Sequence, residues 1–355
     1  MNAAVSSIEQ DAGDTLDEAV DLVFTWVDGH DPEWLKLKRS FMSVEQAALA
    51  ADDENLSDDK RYRNMEAICY AVRAANLYAP WLRTIYIVIT DGQKLPVSVL
   101  ATPNVVVVPY STIMPAAILP SFCSTSIEAH LHNIPGLSEV FLNGDDDYFF
   151  WKPTPKSYFI TSTGQLRLRG YYQPQILARL GVRRKGHMRM ANRSAMLLYE
   201  RGFEMIYMPE HSFHVFRKST CRHVWAELHA ELTESSALKF RDDNRCLIWQ
   251  VLVNAYEDHL HEPVHELSLT SHLSFHDVER SKLISAYVLA RLLLVSRFPP
   301  YTICFNTIPP SWYAMMHRYF SMHLGQTPRA KDVLRVLRKA ADPETGDDQR
   351  LISNR

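Results

Sequence analysis

The sequence predicts an α/β fold built around a parallel sheet. Four short runs rich in β-branched residues occupy the first half of the chain, as expected of strands that are buried on both faces. Segments with helical spacing separate the first run from the second and the third from the fourth. This order is typical of an open sheet with helices packed on its faces.

The predicted strands and helices can be located along the chain. The strand runs are DLVFTWVDG ending at Asp28-Gly29, IYIVITDGQ ending at Asp91-Gly92, VVVVPY over Val105–Tyr110, and EVFLNGDDD ending at Asp145–Asp147. In the segment before the second strand, Met65, Ile68 and Val72 fall near the 3.6-residue spacing of a helix. TSIEAHLHNI predicts a shorter helix before the fourth strand, and the chain after residue 200 is expected to be largely helical.

Composition favours an ordinary globular protein. The chain has 355 residues, of which 46% are hydrophobic and 22% charged, unlike a disordered or collagen-like protein. Because the formal net charge is -3, the molecule as a whole is not expected to bind a polyanion, and no nucleic-acid partner is predicted. Five cysteines without a CxxC pair argue against a disulfide framework and against a structural zinc site.

The start of the chain is polar and acidic and has no apolar signal-peptide core, which predicts a cytoplasmic protein. No apolar run is long enough to span a bilayer. RAKDVLRVLRKAA, near the end of the chain, is typical of a basic amphipathic helix. Packing on the protein body is its first interpretation, and peripheral docking at the inner face of the plasma membrane is the alternative.

Composition shifts along the chain suggest how it is divided. The expected parts are a mobile leader over residues 1–18, the first part of the α/β core over 19–150, a basic insertion or lobe over 151–200, a largely helical second part of the core over 201–315, C-terminal helices over 316–341 and a disordered tail over 342–355.

Three of the four predicted strands end in aspartate. Ligands of open α/β sheets bind at the carboxyl ends of the strands, so these carboxylates are expected to line a site. For Asp28 and Asp91 a simple Asp-Gly turn is an equal alternative. The triplet Asp145–Asp147 is a stronger candidate for a cation site, because adjacent carboxylates repel each other unless a cation or a proton relieves them.

The segment Tyr148–Tyr199 contains ten Lys and Arg residues and no Asp or Glu. A basic lobe beside acidic strand ends suits a substrate made of a metal ion and phosphate groups, and a solvated basic face is the alternative interpretation. Farther on, His211 and His214 are three residues apart and could be metal ligands, although no matching Cys or carboxylate pattern accompanies them.

Several long segments match a known pattern. They are DLVFTWVDGHDPEW (Asp21–Trp34), the stretch Arg61–Gln93, the stretch Ser124–Phe150 with its GDDDYFF end, MPEHSFHVFRKS followed by FRDDNR, and ICFNTIPPSW (Ile303–Trp312). They resemble, in this order, the first conserved region, the start and end of the second, the third and the fourth of the Stealth family of sugar-1-phosphate transferases.

The resemblance implies a fold, an activity and partners. Members of this family, which include bacterial capsule polymerases and the lysosomal-targeting GlcNAc-1-phosphotransferase, move a hexose 1-phosphate from a UDP-sugar such as UDP-GlcNAc onto a sugar hydroxyl and release UMP. It implies a Rossmann-like, glycosyltransferase-A-like core that binds the nucleotide sugar, a divalent cation (Mg²⁺ or Mn²⁺), a saccharide or polysaccharide acceptor and a role in capsule or exopolysaccharide synthesis.

Site residues carry over from the family position by position. The residues implied to be catalytic are Glu128, Asp146, Asp147, His211 and Arg241. Those expected to bind substrate or phosphate are Asp28, Asp31, Arg61, Arg63, Arg73 and Asn192.

Roles can be assigned to the implied catalytic residues. Asp146 and Asp147 are the expected metal ligands, and Asp28 is a further candidate. His211 is the expected general base for the acceptor hydroxyl, with Glu128 as the alternative. Arg241 is expected to clamp phosphate oxygens with its forked donors, unless it only pairs with its neighbouring aspartates at a helix end.

The chain departs from the family pattern at three places. Asp145 stands where an Asn commonly precedes the Asp pair, Cys69 stands where an Arg is common, and Asn306-Thr307 stands where Asn-Asp is common. The DxD pattern created by Asp145 also fits a metal-dependent glycosyltransferase that releases UDP. A non-catalytic sugar-binding module is the remaining alternative.

Overall fold

The structure is a computed structural model that describes residues 18–42, 67–267, 272–275, 295, 297–305 and 313–325. The predicted leader apart from Glu18, the segment 326–341 and the predicted tail lie outside the described residues. Arg61, Arg63 and Asn306-Thr307 also lie outside them.

The strands follow the predicted pattern through the first half of the chain. In chain order they are β1 (Val20–Thr25), β2 (Leu82–Ile89), β3 (Val105–Pro109), β4 (Val140–Asp145), β5 (Tyr148–Phe150), β6 (Arg167–Gln173), β7 (Ile206–Pro209), β8 (His214–Arg217), β9 (Val264–Glu266), β10 (His272–Phe275) and β11 (Thr302–Phe305). All four strands predicted from the sequence are present.

The described helices, in chain order, are α1 (Pro32–Ser40), α2 (Ala67–Tyr78), α3 (Val97–Leu100), α4 (Tyr110–Ile113), α5 (Ser124–Glu128), α6 (Gln175–Gly181), α7 (His187–Glu200), α8 (Lys218–Glu227), α9 (His229–Ser236), α10 (Trp249–His261) and α11 (Tyr313–Gly325). Three 3₁₀ turns cover Ala116–Ile118, Leu131–Asn133 and Lys156–Tyr158. Among the described residues, no helix has both the length and the apolar character needed to cross a bilayer.

The central sheet has five strands in the order β3-β2-β1-β4-β8. The first four pair in parallel, and β8 joins the edge of β4 in the antiparallel direction. The predicted α/β fold with a Rossmann-like parallel core is therefore confirmed. Because β1 and β4 are parallel neighbours, their carboxyl ends meet at one edge of the sheet.

Two smaller sheets surround this core. One has the order β10-β11-β5, and the other has the order β7-β6-β9. Strand β6 lies in the basic segment 151–200 and pairs with β7 and β9, which come from residues 206–209 and 264–266. The basic segment thus shares a sheet with the chain that follows it.

Strand β1 is buried on both faces, as its unbroken apolar run predicts. Leu22 and Phe24 pack in a cluster that includes Ile68 and Ala75 of α2. Val23 points the other way, into a cluster that includes residues of α7 and α10. Successive side chains of a strand alternate between faces, so one strand contributes to two cores.

A charged residue nevertheless lies inside this apolar strand. Asp21 is 0% exposed, and Arg83 of β2 donates to both of its carboxylate oxygens, with Nε to Oδ1 at 2.8 Å. The backbone N–H of Ser138, just before β4, donates to Asp21 Oδ2 at 2.7 Å. This one carboxylate therefore ties together three adjacent parts of the sheet.

We predict that Asp21→Asn lowers the free energy of unfolding by about 2 kcal/mol, because the amide replaces one of two buried acceptor oxygens with a donor that faces an N–H of Arg83 or Ser138. Chemical denaturation of the two proteins measures the difference. Glu231→Gln is the matched control, since Glu231 pairs with Arg201 at an exposed position and should lose less than about 1 kcal/mol. Equal losses in both variants would contradict the assigned role of Asp21.

Candidate active site

The acidic triplet occupies the edge where β1 and β4 end. Thr25, the last residue of β1, is the register partner of Asp145, and its hydroxyl donates to Asp145 Oδ1 at 3.2 Å. Asp146 and Asp147 form the turn between β4 and β5. The backbone N–H of Phe305 in β11 donates to the carbonyl of Asp147 at 3.1 Å. The turn is thus fixed between the central sheet and a smaller sheet.

Glu128 joins this edge from the C-terminal end of α5. Its side chain is buried, and the Gln250 amide at the start of α10 donates to Glu128 Oε2 at 2.8 Å. Burial, followed by the negative charge of the nearby Asp145, raises the pKa of Glu128. Glu128 therefore completes a cluster of four carboxyl groups, which we call the acidic cluster: Glu128, Asp145, Asp146 and Asp147.

Arg241 lies beside the acidic cluster. Its guanidinium donates to the hydroxyl of Ser124, the first residue of α5, and its positive charge offsets part of the rise that burial causes in the pKa values of Glu128 and Asp145. Its sequence neighbours have other partners: Asp242 accepts the N–H of Asn244, and Asp243 accepts the N–H of Gly186. The guanidinium is therefore oriented toward the predicted site.

His211 reaches the same region from the loop between β7 and β8. Its ring packs edge-on against Tyr148, with centroids 5.1 Å apart, and its Nδ1 lies 3.5 Å from the Cys304 thiol. Cys304 also contacts Asp147 and offsets a small part of the rise that burial and the neighbouring aspartates cause in the pKa of that carboxyl. The structure thus brings together all five residues that the resemblance implies to be catalytic.

The electrostatics of the acidic cluster favour protonation. Burial, followed by the charge of Asp145, raises the pKa of Glu128 to about 8 and that of Asp146 to about 7. Burial and the two preceding aspartates raise the pKa of Asp147 well above its ordinary value. Carboxyl groups held in this state near neutral pH call for a cation or for protons.

The residues present fit a cation that is only partly coordinated by protein. Within the described ranges, no three His, Cys, Asp or Glu side chains are arranged to hold a metal ion. Mg²⁺, however, is usually bound through one or two carboxylates, with substrate phosphates and water as the other ligands. Oδ1 of Asp147 is buried without a hydrogen-bond partner in the described structure, and so this carboxylate has an oxygen to offer.

The first-region aspartates have structural partners at the same sheet edge. Asp31 caps α1, because its Oδ1 accepts the N–H groups of Glu33 at 3.0 Å and Trp34 at 3.4 Å. Asp28 accepts the N–H of His30 at 3.0 Å, and its backbone is held by Gln93 from the loop after β2. Asp28 is partly exposed, and the second carboxylate oxygen of Asp31 accepts from the Gln93 amide at 3.3 Å.

Two other predicted binding residues, Arg73 and Asn192, lie apart from these contacts. Arg73 is exposed on α2. Asn192 is 1% exposed on α7, where its Oδ1 accepts from the Gln173 amide at 2.8 Å. A Cβ on Gly181 would come within 2.2 Å of the same oxygen, so Asn192 sits in the tight packing between α6 and α7. The side-chain amide of Asn192 therefore makes its hydrogen bonds inside the protein.

Two further predicted candidates have local explanations. Asp91 binds Ser111, whose N–H donates to Asp91 Oδ2 at 3.1 Å, and this contact ties the end of β2 to α4. His214 is partly buried on β8, and desolvation of its ring lowers its pKa to about 3, so the ring is neutral at physiological pH.

Sequence reasoning missed the neutral residues of the site. Thr25, Ser124, Gln250 and Cys304 each contact a member of the acidic cluster, Arg241 or His211. Gln250 had a usable signal, since it is a polar residue in the otherwise apolar helical run LIWQVLV. The others are small groups with no distinguishing spacing.

We predict that Glu128→Gln raises the melting temperature of chelator-treated protein at pH 8. A carboxyl whose pKa rises from 4.5 to about 8 on folding destabilises the fold as pH increases through that window. The amide removes this titration and can still accept from Gln250, so the difference should shrink toward pH 5. Thermal melts across this pH range measure the effect.

Glu257→Gln is the control for this prediction. Glu257 is equally buried but is bound by Arg217 at 2.9 Å and by Thr220 at 2.6 Å, so its replacement should lower the melting temperature. A lower melting temperature for Glu128→Gln at pH 8 would show that the acidic cluster is not strained in the way described.

Two solved structures resemble this chain weakly. The galactosyltransferase LgtC has a TM-score of 0.40 at 12% identity and covers 90% of this chain and 95% of its own. The bifunctional glycosyltransferase WbbM has a TM-score of 0.37 at 11% identity and covers 91% of this chain and 52% of its own. Because both TM-scores are low, the fold assignment depends on the sheet topology described above.

Two relatives are more similar to this chain in sequence than these structures are. The exopolysaccharide phosphotransferase CpsY of Mycobacterium tuberculosis is 32% identical over 228 residues, which are 63% of this chain and 41% of CpsY. The capsular polysaccharide phosphotransferase LcbA of Neisseria meningitidis is 37% identical over 148 residues, 41% of this chain and 38% of LcbA. The match thus spans about two-fifths of the length of these relatives.

Two family models match the chain where the sequence resemblance was strongest. The model of Stealth protein conserved region 1 matches residues 18–43, and the model of conserved region 2 matches residues 61–168. The second match contains Glu128 and the acidic triplet. The resemblance is confirmed, and the chain carries conserved regions 1 and 2 of the Stealth family.

Proposed function

We propose that this chain transfers a sugar 1-phosphate from a nucleotide sugar to a saccharide hydroxyl in capsule or exopolysaccharide synthesis. The observation that carries the proposal is the meeting of the acidic cluster, Arg241 and His211 at the carboxyl edge of the sheet. The relatives named as exopolysaccharide and capsular polysaccharide phosphotransferases support the same reaction class. A nucleotide-sugar donor favours a cytoplasmic location.

The proposed donor is a UDP-hexose or UDP-N-acetylhexosamine such as UDP-GlcNAc. The acceptor hydroxyl attacks the phosphorus that carries the sugar, a new P–O bond forms, and the bond to the second phosphate breaks so that UMP leaves. Charge spreads over the phosphoryl oxygens during this exchange. Catalysis therefore depends mainly on positioning and on electrostatic stabilisation.

The chain supplies groups of both charges for this task. Asp146 and Asp147 would hold Mg²⁺ or Mn²⁺, which when bound neutralises the diphosphate. Arg241 would donate its paired N–H groups to phosphoryl oxygens, a geometry that Lys cannot reproduce. Its present bond to Ser124 keeps the guanidinium beside the acidic cluster.

His211 is the proposed general base for the acceptor hydroxyl. Its unperturbed pKa lies near neutral pH, which suits proton removal under physiological conditions. Glu128 is the alternative base. Since its pKa is raised to about 8, Glu128 is mostly protonated at neutral pH and fits better as a hydrogen-bond donor to a substrate oxygen.

A metal-dependent glycosyltransferase is the second candidate. The observation that favours it is Asp145, which completes a DxD pattern and is held by Thr25 at the strand end. Such an enzyme would attack the anomeric carbon of the donor and release UDP. Both reactions need a cation and positive side chains at the diphosphate of the donor. The nucleotide product distinguishes them, because the phosphotransferase releases UMP and the glycosyltransferase releases UDP.

We predict that the nucleotide product is UMP when the full chain is incubated with UDP-sugars and candidate saccharide acceptors. The sugar product should contain a phosphodiester and keep the anomeric configuration of the donor, because no bond to C1 changes. Chromatography identifies the nucleotide, and phosphorus NMR identifies the phosphodiester. Stoichiometric UDP with a glycosidic product would instead establish the glycosyltransferase.

Turnover should require a divalent cation and should stop in excess chelator. Asp146→Asn and Asp147→Asn should each lower kcat by roughly a hundredfold or more, because each removes ligand charge at the diphosphate. Asp91→Asn is a matched control and should leave kcat unchanged, since Asp91 follows β2 of the same sheet but binds Ser111. Full turnover in excess chelator would remove the cation from the proposal.

Arg241→Lys should be nearly as damaging as Arg241→Ala. A lost charge-assisted hydrogen bond costs roughly 1.5–3 kcal/mol, or about ten- to a hundredfold in rate. A role based on positive charge alone would survive the change to Lys. The measurement is kcat/KM for the three proteins at matched thermal stability, and retention of most activity by Arg241→Lys would refute the clamp.

A further inference from the structure

Helix α6 presents an apolar surface to solvent. Ile176 is 62% exposed, and Leu177 and Leu180 are each 52% exposed. At 100° per residue these three side chains occupy one sector of the helix. The buried positions Gly181 and Ala178 follow next around the helix, beyond Leu177, and there Gly181 packs against Asn192 of α7. The apolar sector therefore has no cover from α7.

Exposed cations border this sector. Arg179 lies on α6, and Arg183, Arg184 and Lys185 follow the helix directly; all four are exposed. We call α6 with these residues the basic apolar surface. The segment Tyr148–Tyr199 that contains it has no acidic residue of its own, and the Asp243 carboxylate, from the loop after Arg241, binds the N–H of Gly186 beside Lys185. A partner of this surface should accordingly offer both negative charge and an apolar interior.

Aromatic side chains precede α6 at the end of β6. Tyr171 is 46% exposed and Tyr172 is 42% exposed. The Tyr172 hydroxyl lies 3.1 Å from His265 Nδ1, which holds its ring in place. Tyrosine has an apolar ring and a polar tip, and it is enriched where an apolar phase meets water.

We propose that the basic apolar surface docks onto an anionic lipid bilayer. A short helix with apolar residues in one sector and Lys or Arg around it binds in the plane of a membrane interface, with the apolar side chains inserted and the cations at lipid phosphates. Bilayers supply both features that this surface needs.

Two other occupants fit the surface less well. In a two-fold dimer each copy would present the same patch to the other, so the four cations of each patch would face like charges. An anionic polysaccharide would satisfy the cations and could stack on the tyrosines, but it would leave Ile176 and Leu180 in water. The exposed aliphatic residues are the reason to prefer a lipid partner.

The docking surface adjoins the candidate active site. Asp243 Oδ2 accepts the N–H of Gly186, and Arg189 Nη1 donates to Asn244 Oδ1 at 2.9 Å. These contacts join the chain after Lys185 to the loop that follows Arg241. Docking would thus bring the proposed phosphotransfer site near the membrane, where it could meet a membrane-associated acceptor. The basic apolar surface contains none of the residues proposed to take part in the transfer reaction.

The test measures sedimentation of the full chain with vesicles of phosphatidylcholine containing phosphatidylglycerol, and with vesicles of phosphatidylcholine alone. We expect binding to the anionic vesicles that weakens as salt is added, because salt screens the cations. The double variant Ile176→Asp/Leu180→Asp should lower the bound fraction by roughly tenfold or more. Arg183→Gln/Arg184→Gln/Lys185→Gln should weaken binding and flatten its salt dependence.

Val97→Asp/Leu100→Asp is the matched control. These residues are 81% and 51% exposed on another short helix, α3, which lies outside the basic segment, so vesicle binding should be unchanged. Circular dichroism establishes that all variants are folded. With a soluble acceptor, the Ile176→Asp/Leu180→Asp variant should release UMP at the native rate. Failure of membrane docking can then be distinguished from failure of the proposed transfer reaction.

Several outcomes would overturn the proposal. The first is a native chain that does not bind anionic vesicles, and the second is equal binding by the native chain and the Ile176→Asp/Leu180→Asp variant. A change of oligomeric state in that variant, seen by light scattering without loss of vesicle binding, would assign the surface to a second copy. Retention of an anionic polysaccharide that depends on the three cations, without vesicle binding, would assign it to the acceptor.

Discussion

The parallel pairing of β1 with β4 is the constraint on which the site depends. This pairing places Thr25 opposite Asp145 and ends both strands at one edge. The chain must then turn through Asp146 and Asp147 to enter β5, which pairs with β11. A shift of one residue in this register would turn Asp145 to the other face of the sheet and separate it from the Thr25 hydroxyl.

The fold holds the carboxyl groups together against their mutual repulsion. Burial raises the pKa values of all four, and the charges of neighbouring aspartates raise those of Glu128, Asp146 and Asp147 further. The contacts that work in the opposite direction include the Thr25 hydroxyl, the Gln250 amide, the Cys304 thiol and the charge of Arg241. Structures tolerate such strained ionisation mainly at functional sites. The apolar packing on both faces of β1 provides the rigid support that this arrangement needs.

The basic residues of the segment 151–200 have different roles in the structure. Arg167 and Arg169 are buried and bind Glu266 at 2.7 Å each, so they stabilise the pairing of β6 with β9. Arg189 joins the segment to the loop after Arg241. Arg183, Arg184 and Lys185 remain exposed beside apolar α6. The sequence offered no way to separate these roles, because they differ only in what each side chain meets in space.

The sequence alone determined the four core strands and the acidic turn, because the apolar run of a buried strand and the Asp triplet at its end are local patterns. Family resemblance added Glu128, His211 and Arg241. Tertiary structure decided which distant residues meet: the Gln250 amide reaches Glu128, and Arg241 reaches the Ser124 hydroxyl. Residues more than a hundred positions apart come together only when the sheet forms, so spacing along the chain carries no record of their contact.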